Sequence, residues 1–127
     1  EKTGNVYKYE DMLHIAETQT LLEDVVTGMT PIVICDTSPL VTSFYSLKWY
    51  GKVDTKLADL ALRQYDLVFF CARDFDYVDD GSRNGEEFGM EQEKFYKDNL
   101  AQPYIMLWGS VEQRVKYALK QIEWNGI

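Results

Sequence analysis

Nowhere in this chain do eighteen apolar residues follow one another, so no segment reads as a membrane-spanning helix. The chain does not open with a basic segment, a short apolar core and a cleavage site, so no secretory signal peptide is read. Histidine occurs once, at His14, and cysteine twice, at Cys35 and Cys71. Their number and spacing suit no metal cluster, and both cysteines fall in apolar runs, where a thiol behaves as a small hydrophobe. A reduced, cytoplasmic protein is expected. Positive charge is scarce as well. Thirteen Lys and Arg against 21 Asp and Glu leave a net charge of −8. That balance argues against general binding to nucleic acid or anionic membranes. A phosphate ligand stays open, because a few Arg and backbone N–H groups suffice for one.

What is present fits one domain. The 127 residues are 46% hydrophobic, enough for a core. The chain opens on Glu1-Lys2-Thr3-Gly4 without an initiator Met, which reads either as a piece of a longer chain or as a processed product.

Periodicity alternates between helix and buried strand. Residues 9–26 carry Met12, Ile15, Ala16, Gln19, Leu22 and Val26 at three-and-four spacing, with Gly28 as the stop. "PIVICD" (31–36) is β-branched and continuous, as in a strand buried on both faces. Residues 39–65 are mostly helical, broken near "WYGKVD", with Asp54 as an N-cap. "DLVFFCA" (66–72) is a second strand, residues 73–89 a long polar loop, and 90–101 a helix. "PYIMLWG" (103–109) is a third strand. The helix 110–124 follows, with Val111, Val115, Ala118, Leu119 and Ile122 on one face. The order αβαβαβα predicts an α/β fold with a parallel sheet and right-handed crossovers. Three strands make a thin sheet, and the pattern reads as one whose first elements are missing.

The strand ends carry the chemistry. Asp36 follows the first strand, Arg73 and Asp74 the second, Gly109 and Ser110 the third. In a parallel sheet all lie at the carboxyl edge, where open α/β folds bind ligands. For Asp36 two readings stand: a strand terminator, or a carboxylate that meets Mg²⁺ beside a nucleotide. For "DDGSR" they are a solvated acidic loop, or a lid in which Arg83 swings onto phosphate oxygens. For Gly109-Ser110 they are a plain βα turn with Ser110 as N-cap, or a loop that lets backbone approach a ligand.

Taken in order, "VICDTSPL", "YDLVFFCARDFDYVDDGSR" and "PYIMLWGSVEQRV" resemble three segments of the NadR-type P-loop kinase domain, the nicotinamide riboside kinase-like ATPases of NAD metabolism. They look like its Walker B strand, its next strand with the lid, and its last strand with the loop bordering the adenine. The resemblance covers essentially the whole chain. It implies a three-layer P-loop NTPase-like fold, ATP and Mg²⁺ as cofactors, and a small nucleoside as phosphoryl acceptor. Asp36 would help hold Mg²⁺. A lid at about residues 74–90 would carry Asp80, Gly81 and Arg83, with Arg83 on the transferred phosphate. Gly109 and Ser110 would border the adenine, and Thr37 and Thr42 would stand on the substrate side. Aromatic residues make up 14% of the chain. Packing is the main role expected of them, and stacking on a nicotinamide or adenine ring is open to Tyr45, Trp49 and Tyr77.

The chain also departs from that family. No G-x-x-x-x-G-K-[ST] loop occurs in the 127 residues, and the single Gly-Lys pair, Gly51-Lys52, is followed by Val53. Position 38 is Ser where the family often has Asp. Beyond Arg83 the chain runs acidic, and the next base is Lys94. The expectation is a domain whose Walker A loop and first strands precede Glu1, so that this chain alone binds ATP poorly and transfers nothing. Such a piece would expose sheet edge and self-associate. Two rivals stand beside it: a non-catalytic nucleotide-sensing or protein-interaction domain, and a P-loop kinase with a different small-molecule substrate.

Overall fold

The computed structural model describes residues 7–74 and 85–127. These fall into two compact units, residues 7–63 with 85–101 and residues 64–74 with 102–127.

The first unit is helical. Helix α1 (Tyr9–Thr27) starts where the Asp11 carboxylate accepts the Lys8 backbone N–H at 2.8 Å, and it ends at Gly28. Its inward stripe is Met12, Ala16, Thr20 and Glu23. Of the face read from the sequence, Met12 and Ala16 are buried, whereas Ile15, Leu22 and Val26 are exposed. The stripe turned inward is thus partly polar, and Glu23 is buried because cations and amides meet it there. Helix α2 (Pro39–Tyr50) begins with Pro at its first position, where no N–H is needed, and closes on Gly51 at φ 71°. Helix α3 (Thr55–Leu60) is capped by Asp54, whose carboxylate accepts the Lys56 N–H at 2.8 Å. It stops short of the expected Tyr65.

Met12, Ala16 and Leu57 form the core between α1 and α3, with Leu13, Trp49, Tyr50, Val53 and Leu60 against it. Each large side chain fully removed from water there contributes about 1.5–3 kcal/mol. Helix α4 (Glu86–Asn99) packs on α2 and begins four residues before the expected Met90, carrying Gly89 within it. The contact is aromatic. The buried Phe44 ring lies 5.3 Å from Phe95, 5.5 Å from Phe88 and 6.0 Å from Tyr96. This accounts for Tyr45 and Trp49 as packing partners, 4.9 Å apart, while Tyr77 lies outside the described residues.

The expected first strand is absent from this unit. Residues 32–35 run without strand pairing, and Ile34 is 85% exposed. An apolar β-branched run becomes a strand only against a partner, and none of the described residues pairs with it.

The second unit holds a parallel sheet of two described strands, β1 (Phe69–Cys71) and β2 (Ile105–Leu107), in the register Phe69–Ile105, Phe70–Met106, Cys71–Leu107. Helix α5 (Val111–Trp124) follows β2 through Gly109 and Ser110. On its expected apolar face Val111, Val115 and Leu119 are exposed, and Ala118 and Ile122 are half-buried.

Candidate functional site

In the first unit the candidate residues surround the entry to α2. Asp36 is exposed, and no described side chain pairs with its carboxylate. Thr37 adopts φ 78°, a left-handed conformation unusual for a β-branched residue. Its carbonyl oxygen accepts a hydrogen bond from Gln19 Nε2 at 3.1 Å. Gln19 also donates to Glu23 Oε2 at 3.2 Å, and Arg63 Nε lies 3.0 Å from Glu23 Oε1. Arg63 reaches Asp24 as well, at 2.5 Å. Burial, then the Glu23 carboxylate, push the Cys35 thiol up from its ordinary value. Residues 35–37 are therefore tied to α1 by a polar network, and Ser38 then caps α2 through its carbonyl, which accepts from Val41 N at 2.9 Å and Thr42 N at 3.4 Å. Thr42 is half-buried within α2.

A lone exposed carboxylate suits Mg²⁺, which takes one or two carboxylates and fills its other positions with phosphate and water. Among the described residues no three His, Cys, Asp or Glu side chains cluster as metal ligands. Asp36 thus fits the nucleotide-sharing kind of Mg²⁺ site and not an all-protein cage. Two open clefts flank Lys48 along α2 and α4. The larger, about 530 Å³, is lined by Lys48, Trp49, Glu87, Phe88 and Glu91, and neither cleft includes Asp36, Thr37 or Thr42.

In the second unit Gly109 and Ser110 lie where β2 turns into α5. Gly109 has φ 87°, and a Cβ there would come within 2.2 Å of Gln113 Oε1. Ser110 caps α5 reciprocally: its hydroxyl accepts from Gln113 N at 3.1 Å, and its N–H donates to Gln113 Oε1 at 2.8 Å. The βα-turn reading is realised in full at these two residues.

Sequence reasoning paired neither Asp74 nor Arg114 with this loop. Asp74 Oδ2 accepts the Gly109 N–H at 2.7 Å, and Asp74 Oδ1 accepts from Arg114 Nη2 at 2.5 Å. Arg114 Nε donates to the Gly109 carbonyl at 2.8 Å, and Nη2 donates to the Ala72 carbonyl at 3.1 Å. The Gly109 N–H first, then the Arg114 guanidinium, hold the Asp74 carboxyl below its ordinary value despite partial desolvation. A signal was present: Asp74 lies three residues beyond Cys71, as Ser110 lies three beyond Leu107, and those strand residues are register partners. The lid residues Asp80, Gly81 and Arg83 lie outside the described residues.

A small parallel sheet whose second strand runs into a helix is compatible with an α/β domain of the P-loop NTPase-like class. The chain belongs to the AAA domain family, whose pattern it matches over residues 1–114. No curated protein and no solved structure matches it. No described helix is long and apolar enough to cross a membrane.

Proposed function

We propose that this domain is part of an ATP-dependent kinase that transfers a phosphoryl group to a small nucleoside, with nicotinamide riboside as the first candidate. One observation carries the reading: Asp36 stands exposed at the entry to α2, paired with no described side chain, beside a Thr37 backbone held in a left-handed conformation by Gln19. Asp36 is the residue that would hold Mg²⁺, which when bound neutralises charge on the phosphates. Arg83 would pair with oxygens of the transferred group. Gly109 and Ser110 would border the adenine, and Thr37 and Thr42 would face the acceptor. The bond from the γ-phosphorus to the β,γ-bridging oxygen breaks, releasing ADP, as one to the acceptor hydroxyl oxygen forms and the hydroxyl proton passes to solvent. The three-layer sheet is part of this proposal, and these 127 residues contain no Gly-Lys-Ser/Thr to cradle the phosphates. The proposed setting is cytoplasmic.

A second reading, a nucleotide-sensing or interaction domain without catalysis, is favoured by the same missing motif. The one Gly-Lys pair cannot replace it, since the Lys52 ammonium lies 4.4 Å over the Tyr9 ring. Phosphorus NMR of the full-length gene product with ATP, Mg²⁺ and nicotinamide riboside separates the two. The kinase reading expects a new phosphomonoester signal, lost with Asp36→Asn and slowed at least about 100-fold with Arg83→Lys. ATP binding with no product from any nucleoside would establish the sensing domain instead.

A further inference from the structure

The two-stranded ladder breaks at the point where the candidate adenine loop begins, and the break is filled by side chains. Ile105 N donates to Val68 O, and Ala72 N donates to Leu107 O, both at 2.9 Å. In a parallel ladder these bonds alternate regularly, so the next rung should run from Gly109 N to the Ala72 carbonyl. It does not form. The Gly109 N–H goes to Asp74 Oδ2 at 2.7 Å, and the Ala72 carbonyl receives Arg114 Nη2 at 3.1 Å. The Asp74–Arg114 ion pair, at 2.5 Å, is inserted between the two groups that would have met. Arg114 Nε then grips the Gly109 carbonyl at 2.8 Å, so both polar groups of this glycine are held by the pair. The Asp74 and Arg114 side chains are only 25% and 14% exposed, so the pair is partly shielded from solvent.

We infer that Asp74 and Arg114 are positioning residues: they replace one rung of the sheet, hold the strand ends apart, and fix the Gly109-Ser110 backbone in the geometry that receives the nucleotide base. The inference rests on the proposed nucleotide reading. It goes beyond that reading by giving base recognition to a pair of side chains that need not touch the base. The chemistry is specific. Asp74 supplies an acceptor aimed at one amide, and the guanidinium supplies two donors aimed at two carbonyls, a fork that Lys lacks.

The test is titration calorimetry on the full-length gene product with two probes, ATP and inorganic tripolyphosphate, each with Mg²⁺. The variants are Asp74→Asn, which keeps an acceptor oxygen but drops the charge, and Arg114→Lys, which keeps the charge but drops the fork. The expected result is a loss of at least about 10-fold in ATP affinity for Arg114→Lys and a smaller loss for Asp74→Asn, with tripolyphosphate affinity unchanged. The Gly109 amide resonance should shift in both variants while signals from the first unit stay in place. Equal ATP affinity in wild type and variants overturns the positioning role and leaves the nucleotide reading intact. Parallel losses for ATP and tripolyphosphate also overturn it, because the effect would then not be on the base. No binding of either probe by the wild type overturns the nucleotide reading, and the inference with it.

Discussion

Gln19 and Thr37 are joined across eighteen positions by one hydrogen bond, from the Gln19 amide to the Thr37 carbonyl at 3.1 Å. It fastens the segment bearing Asp36 to the middle of α1. It also holds a β-branched residue at φ 78°, where the side chain crowds the backbone. A left-handed non-glycine residue costs about 1–2 kcal/mol, and glycine's extra unfolded-state freedom returns about half of that. Thr37→Gly is therefore expected to stabilise the protein by about 0.5–1 kcal/mol in urea unfolding. A loss of stability would show that the Thr37 side chain makes a contact worth more than the strain.

Leu57 is fully buried against Met12 and Ala16. Leu57→Ala removes that packing and leaves a cavity, so a loss of about 2–5 kcal/mol is expected by chemical denaturation. A change below 1 kcal/mol would mean that the α1–α3 core is not the stabilising centre of the first unit.

Gly109→Ala forces Gln113 out of the capping box, because the new methyl group falls 2.2 Å from Gln113 Oε1. It also places a side chain at φ 87°. The two effects together should destabilise by more than about 1 kcal/mol, read as a lower melting temperature. An unchanged melt would contradict the turn geometry.

Asp74 sets a pH dependence. Its folded carboxyl is held below the ordinary value of 3.8, first by the Gly109 N–H and then by Arg114. The unfolded chain therefore takes up the proton first as pH falls. The stabilisation is present above about pH 4 and fades as pH drops through the folded value. Wild type should lose stability below pH 4 more steeply than Asp74→Asn in unfolding titrations between about pH 2 and pH 6. Identical acid limbs would show that the pair does not exist in solution.

Exposed apolar surface carries a prediction about association. Ile34 is 85% exposed, Met29 78% and Leu21 63%, on and just beyond α1. We propose that the 127-residue chain self-associates through such surface and through unpaired strand edge. Light scattering after size exclusion should give a mass that rises with concentration. A monomer at every concentration would contradict it.

The helices were legible because their signals are local. α1 ends one residue past its expected limit, and Asp54 and Ser110 cap the helices assigned to them. The run at 32–35 was read as a strand on composition alone, but a strand is made by its partner, and the described residues supply none. The inward stripe of α1 was misplaced because Glu23 is buried by Arg63 and Gln19, a cost that hydrophobic spacing cannot register. At the candidate site, Gly109 and Ser110 could be read from the turn chemistry of one short stretch. The Asp74–Arg114 pair could not, since it depends on a strand register and joins residues forty positions apart.

The central claim is that Asp36 is a magnesium-facing carboxylate of a nucleotide-binding domain. The most direct test is titration of ATP into the full-length gene product, with and without Mg²⁺, for wild type and Asp36→Asn. The account predicts that Mg²⁺ tightens ATP binding to the wild type, and that Asp36→Asn loses about 10-fold or more of that gain while binding without metal is unchanged. Equal dependence on Mg²⁺ in both proteins would contradict it and return Asp36 to the role of a residue that ends an extended segment before α2.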